Sequence, residues 1–444
     1  EVNNVDHSQG KYDININVND STVIPDENSH TLSGVQVVLV TSQPSVTSLS
    51  FSNDVTVSGE WTTSVFDDVK GFYMNVYEYS GNGNVAIQSS SITADMTITG
   101  NSDLLQTLYG IFLNFGVTNF TMSSDVTVMG TWDLENVGNL RGVMVQFYDC
   151  PNLIAEFTNG KFDVQPNIIA RSLMGDAGIT GMYFDFIDAA DAKEVSMSNY
   201  NMEVSGEWDL VFVSPPNTEL SGILLTMTTV STNVVISRVQ FHSKVHVSVT
   251  IDAGIPRHEQ NDGLDFPNAP ERSGNDSAHE QNDGDNNGEN IHGQDGKVLL
   301  PHAQSRQDEI LLLPGIHLSL EGSVNGAAIT MTNAQFSFSG RIIQQQDLDF
   351  DYIGTTQAIG IFFELAPNRN LVMNEVELEM SGDIGNVTSN ELSSVYGIVL
   401  GGNPDPEDSV IESGVLNNVN FIVTGSLSSQ YDTRGISLWP IFFK

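Results

Sequence analysis

Apolar residues recur at every second position in short segments along almost the whole chain, as in Val55-Thr56-Val57, Met96-Thr97-Ile98, Val126-Thr127-Val128 and Met202-Glu203-Val204. This spacing turns one side of each segment toward a core and the other toward water, and it predicts strands. Apolar residues at helical spacing over more than two turns are nearly absent.

A phrase repeats within the pattern. Glycine opens an alternating apolar run at Gly71-Phe72-Tyr73-Met74, Gly110-Ile111-Phe112-Leu113, Gly142-Val143-Met144-Val145, Gly181-Met182-Tyr183-Phe184 and Gly222-Ile223-Leu224-Leu225. It returns at Gly360-Ile361-Phe362-Phe363, Gly397-Ile398-Val399-Leu400 and Gly435-Ile436-Ser437-Leu438, with weaker copies opened by Gly34 and Gly326. Successive starts lie roughly 32 to 41 residues apart, except for one gap interrupted by a polar insertion, and such a period belongs to solenoids and arrays.

A second short strand follows each phrase, then a Ser/Asn corner at Asn53, Ser90, Ser123, Asn199, Asn333, Asn374 or Asn418. A third strand closes at Ser/Thr-Gly, as at Ser58-Gly59, Thr99-Gly100, Ser205-Gly206, Ser339-Gly340, Ser381-Gly382 and Thr424-Gly425. Glycine allows the positive φ of a sharp corner, and Asn or Ser can hydrogen-bond the local backbone there. Three strands per turn would stack their inward residues into one core. Residues 61–69, 131–139 and 207–220 are expected as loops after the third strand.

Runs such as GIFLNFGVTNFTMSSDVTVMG resemble the coils of right-handed parallel β-helix proteins. The resemblance implies an all-β solenoid and leaves activity open, because that family includes polysaccharide lyases, phage tailspikes, adhesins and surface proteins. Tandem antiparallel β-sandwich domains are the alternative, since Trp61, Trp132 and Trp208 follow Gly59, Gly130 and Gly206 at long intervals. A superrepeat of two coils accounts for the same spacing.

Composition narrows the function. The 444 residues carry a formal net charge of −40 with only 16 Lys and Arg. Such a surface repels phosphate backbones and anionic lipid, which argues against nucleic acid and membrane partners, and it favours cations or basic partners. No apolar stretch approaches the roughly 20 residues of a membrane-spanning helix. Cys150 is alone, so no intrachain disulfide forms. A start at Glu1 fits removal of a signal peptide, and a secreted or cell-surface protein is expected.

Residues 252–308 break the pattern, dividing the solenoid into parts 1–251 and 309–444. The segment is polar and duplicates His258-Glu259-Gln260-Asn261-Asp262-Gly263 as His279-Glu280-Gln281-Asn282-Asp283-Gly284. Too little apolar surface is present to offset ordering, so a flexible loop is expected. Asp283-Gly284-Asp285-Asn286-Asn287-Gly288 also matches the start of a calcium loop, with Asp283, Asp285 and Asn287 as ligands and Glu289 through its carbonyl. Gln294 stands where the bidentate Glu of such a loop belongs. Zinc through His258, His279, His292 and His302 fits less well, because their spacing matches no compact site.

Catalysis is the lesser reading. Asp67, Asp68, Asp185, Asp188 and Asp191 are acidic candidates near coil edges, and no nucleophile-elbow, zinc-protease or phosphate-loop motif occurs. An outward threonine ladder is expected to run Thr56, Thr97, Thr127 and then lapse at Glu203, His246, Ser337 and Glu379. Phe72, Tyr73, Phe112, Phe184, Phe362 and Phe363 read as core, and the three tryptophans as packing beneath loops.

The ends suggest assembly. Ile14, Ile16 and Val18 form an alternating strand before the first phrase; Ile436, Leu438, Trp439, Ile441, Phe442 and Phe443 belong to a last coil that lacks its later strands. Joined head to tail they would complete each other into a homopolymer, since a heterologous contact that does not close gives a filament. The expectation is a non-catalytic structural or adhesive subunit. A polysaccharide-binding or polysaccharide-cleaving β-helix is the alternative.

Overall fold

The computed structural model describes residues 11–12, 16–18, 31–41, 49–52, 54–63, 66–78, 83–101, 105–150, 152–173, 177–188, 192–213, 218–227, 233–251, 310–320, 328–346, 355–365, 370–387, 393–401, 411–429, 432–438 and 441–443. These residues build a parallel β-solenoid. Ten strands form one sheet, in chain order from Thr31–Thr41 to Asp432–Leu438, each pairing in parallel with the next. Every strand of this glycine sheet carries one copy of the glycine phrase. A second sheet of 20 strands faces it and holds the corner, so we call it the corner sheet. All described ladders in both sheets are parallel, which excludes antiparallel sandwiches.

Register shows why the phrase repeats. Val35, Phe72, Ile111, Val143, Met182, Ile223, Ile316, Ile361, Ile398 and Ile436 pair in one column, two residues apart from a second column that ends in Leu400 and Leu438. Ile223 pairs directly with Ile316, so the strands on either side of residues 252–309 stack as consecutive rungs. The glycine of that rung is Gly315. Gly326, expected to open the copy, lies outside the described residues.

The phrase glycines serve close approach rather than positive φ. A Cβ on Gly142 would lie 2.5 Å from the Gly181 carbonyl oxygen and would also strike Val164 from the facing sheet. The same carbonyl clash recurs at each rung from Gly34 to Gly397. Positive φ is found instead at Gly59, Gly130 and Gly206, with values of 142°, 125° and 135°. There the third strand bends without ending: strands run Val55–Thr62, Asn119–Glu135 and Glu194–Phe212, so the expected loops begin as strand. Alternation resumes after the bend, and Trp61, Trp132 and Trp208 turn into the core, all buried.

The tryptophans fall in one column: Trp61, Ile98, Trp132, Ile168, Trp208, Val247, Ile342, Ile384. Indole alternates with isoleucine over the first five rungs, so each large ring stacks between smaller side chains, as close packing of a core favours. This is the two-coil superrepeat. Register also redraws the threonine ladder as Thr56, Thr93, Thr127, Asp163, Glu203, His242, Ser337, Glu379. Thr97 and His246 belong to the neighbouring column with Glu60 and Glu207.

Candidate functional site

The corner is a left-handed residue inserted between the second and third strands. Asn159, Asn199, Arg238, Asn333, Glu375 and Asn418 occupy equivalent places on successive rungs, with φ of 55°, 52°, 54°, 51°, 55° and 53°. Asn tolerates this conformation. Arg238 and Glu375 do not share that tolerance, and such a residue costs about 1–3 kcal/mol. Asn199 and Asn333 were legible as corners. Asn53 is not described, Asn374 precedes the true corner by one residue, and Ser89 rather than Ser90 takes positive φ.

Beside these corners lies an open groove of about 600 Å³ spanning five rungs, from Gly160 to Glu377. At one end Tyr200 crosses two coils to donate its hydroxyl to the Ser124 carbonyl at 3.0 Å, made possible by the missing side chain of Gly160. Along the groove, Asn199 donates to Asn159 at 3.1 Å and Gln335 to Glu377 at 3.0 Å. Among the described residues, the side chains of Arg238, Gln240, Asn333 and Glu375 make no such bond, and the Asn201 Oδ1 is buried without a donor. Sequence reading missed Arg238 and Glu375, because neither residue type signals a left-handed corner.

Beyond the groove the outer face of the corner sheet is charged and well paired. Lys161 meets Asp163 at 2.6 Å, Lys244 meets Glu203 at 2.7 Å, and His246 Nδ1 meets Glu207 at 2.9 Å. Burial, with the nearby Lys244 ammonium, holds His242 below its ordinary pKa. These are exposed or half-exposed pairs of small energetic weight.

The outer face of the glycine sheet differs. Tyr73, Phe112, Met144, Tyr183, Leu224, His317, Phe362 and Val399 form an outward column. Of the six aromatics expected in the core, Phe72, Phe184 and Phe363 point inward, whereas Tyr73, Phe112 and Phe362 belong to this outer column. Lys70 lies 5.3 Å from the Tyr73 ring and Arg141 4.7 Å from the Tyr183 ring. His317, 3% exposed, stacks on Phe362 with ring centroids 4.5 Å apart. Its Nδ1 is 2.7 Å from Glu219 and its Nε2 3.2 Å from Glu364, which also accepts from Ser319. Burial alone would lower the imidazole pKa, but the two carboxylates outweigh it and hold it up at about 9. Glu364 is correspondingly depressed by His317 against the effect of burial. The cluster is a single buried cation held between two part-exposed carboxylates on the outer face of the sheet.

The expected acidic candidates are dispersed. Asp68 accepts from Thr107 and faces Lys70 at 3.7 Å, and Asp185 is buried and accepts from Gln146 at 3.3 Å. The Asp67 carbonyl accepts the Gln106 and Thr107 amides. The Asp188 side chain and Asp191 lie outside the described residues. So do Asp283, Asp285, Asn287 and Glu289 and the four insertion histidines. Cys150 is buried, donates to the Phe115 carbonyl at 3.1 Å, and burial pushes its thiol up to about 12. It is no nucleophile at neutral pH.

Of the residues expected at the ends, Ile16 and Val18 pair with Val55 and Val57 in the first described rung of the corner sheet. The strand Ile441–Phe443 pairs with the strand Ile411–Asn417, and only its backbone is described. Ile14 and Trp439 are not described. Ile436 and Leu438 are 44% and 47% exposed, although the residues one rung earlier in their columns, Ile398 and Leu400, are fully buried.

The fold and these sites define a parallel β-solenoid. Comparison with known proteins goes no further: no family, no characterised sequence and no solved structure matches this chain.

Proposed function

We propose that this protein is a non-catalytic structural or adhesive subunit of an extracellular surface, which associates end to end into a filament. The observation that carries the reading is the exposure of Ile436 and Leu438 on the outermost described strand of the glycine sheet, in columns that are otherwise core. Each such side chain, already about half buried, gains about 0.8–1.5 kcal/mol when the rest is buried. The backbone edge beside them offers unpaired donors and acceptors to a further parallel strand.

The strand Thr31–Thr41 offers the complementary edge of the glycine sheet, since among the described residues it pairs only toward Asp68–Glu78, and Lys11–Tyr12 and Ile16–Val18 offer that of the corner sheet, pairing only toward Leu49–Phe51 and Val55–Thr62. A net charge of −40 opposes the contact, so filaments should form more readily as salt is raised.

Electron microscopy of the purified chain at increasing salt tests this, beside the variant Ile436→Lys/Leu438→Lys. Filaments from the parent chain and separate short rods from the variant, with unchanged circular dichroism, are the expected result. Separate rods from both proteins at every salt concentration would remove the proposal.

A further inference from the structure

The last glycine of the glycine sheet lacks the reason that holds for the others. At nine successive rungs, from Gly34 to Gly397, a Cβ would stand 2.5–2.7 Å from the carbonyl oxygen of the phrase glycine one rung on. That is far inside van der Waals contact, so no side chain fits at those places. Gly435 closes the column, and among the described residues the nearest atom to a Cβ there is a Val423 methyl at 4.0 Å. Its φ is not in the left-handed region, so conformation does not call for glycine either.

The column is directional, because each glycine makes room for the strand that follows it. Gly435 therefore makes room for a strand that the described residues do not supply. The strand Thr31–Thr41 has the matching edge: it opens the sheet, and it carries its own phrase, Gly34-Val35-Gln36-Val37. In every ladder of this sheet the residue after one glycine pairs with the residue after the next, as Val35 pairs with Phe72 and Ile398 with Ile436.

We propose that Asp432–Leu438 pairs in parallel with Thr31–Thr41 of a second copy of this chain, glycine over glycine, with Gly435 leaving space for the Gly34 carbonyl. This junction rests on the end-to-end reading above and gives it a partner strand and a register. Ile436 meets Val35 and Leu438 meets Val37, so both inward columns continue across the joint; Arg434 lies beside Ser33 on the outer face. In the corner sheet, Ile16–Val18 then follows Asn420–Val423 in its column. Lys11–Tyr12 and Ile441–Phe443 fall on one rung, so one of these short strands gives way as the joint forms.

Two measurements on the full chain test the register. Gly435→Ala should raise the protein concentration needed for filaments at least tenfold while its urea midpoint stays at that of the parent, because its methyl group meets only the incoming strand. Arg434→Cys and Ser33→Cys, placed in one chain, should link copies through a disulfide under a mild oxidant. Neighbouring strands lie about 4.8 Å apart, within the Cα separation of about 4.4–6.8 Å that a disulfide spans. The two residues stand on the first and last strands of the sheet, so the bond joins two molecules. Arg434→Cys with Thr31→Cys, two positions out of register, should not link. Filaments that form equally well from Gly435→Ala, or links made from position 31 and not from position 33, would overturn the register and leave end-to-end assembly standing. Separate rods from the parent at every salt concentration would remove both.

Discussion

The glycine column and the corner column run the length of one solenoid and constrain its sequence in opposite ways. At Gly142 the backbone is ordinary but no side chain fits: the next rung's carbonyl lies 2.5 Å from where a Cβ would stand. At Arg238 the backbone is left-handed but the side chain is free to project into a groove. The first column fixes the distance between the two sheets and leaves no room for chemistry. The second tolerates several residue types at a backbone cost, and so can carry chemistry. Function in such a repeat protein is therefore expected where the strained position departs from its best residue.

The largest effect should come from breaking the glycine column. Gly142→Ala puts a methyl group against both the Gly181 carbonyl and the facing Val164, and overpacking of this kind costs about 1–3 kcal/mol, more where backbone must move. Here backbone must move, so loss of the cooperative unfolding transition or a fall at the upper end of that range is expected in urea. Gly435→Ala sharpens the comparison. Its nearest atom would be Val423 at 4.0 Å, so the same substitution should change stability by less than about 0.5 kcal/mol.

Next in size is His317, the charged member of the outward column beside those glycines. His317→Ala leaves Glu219 and Glu364 facing each other without their cation, and breaking a buried pair costs about 3–5 kcal/mol. Partial exposure of the two carboxylates places the expected loss below that range, at about 2 kcal/mol. The pH dependence has a definite sign. The folded histidine binds its proton more tightly than the unfolded one, so its contribution is complete below pH 6.5 and is lost as pH rises toward about 9. Glu364, depressed on folding, contributes above 4.5 and loses its share as pH falls further. Urea midpoints of the parent should decline from pH 6 to pH 9 more steeply than those of His317→Ala. Parallel slopes would count against the cluster.

What the sequence reveals follows the same division. Alternation and the glycine phrase were legible because a missing side chain leaves a mark in any copy. Gly315 escaped because Pro314 precedes it and polar His317 interrupts the apolar run, while Gly326 imitates the phrase within Val324-Asn325-Gly326-Ala327. The inward turn of Trp61, Trp132 and Trp208 was hidden by a bend that looks like a strand terminus, since glycine marks both. The outward aromatics were hidden too, because alternation assigns a residue to a face and not that face to water. Least legible was the groove: asparagine announces a left-handed corner, but Arg238 and Glu375 announce nothing until register aligns them with Asn199 and Asn333.

The one expected gain in stability runs opposite to the losses and tests the comparison most directly. Replacing a residue held in the left-handed region by one that tolerates it relieves strain without removing a bond, because among the described residues the Arg238 and Glu375 side chains have no partner to lose. Each of Arg238→Asn and Glu375→Asn should therefore raise stability by about 1 kcal/mol, read as a higher urea midpoint with an unchanged slope. The gains should add only in part, since the two rungs flank Asn333 and share the groove. Asn199→Arg, the reverse change at an equivalent corner, should lower stability by a similar amount, and it also loses the bond to Asn159. If Arg238→Asn destabilised the protein instead, the arginine would be holding the corner itself, and the groove would be a by-product of folding.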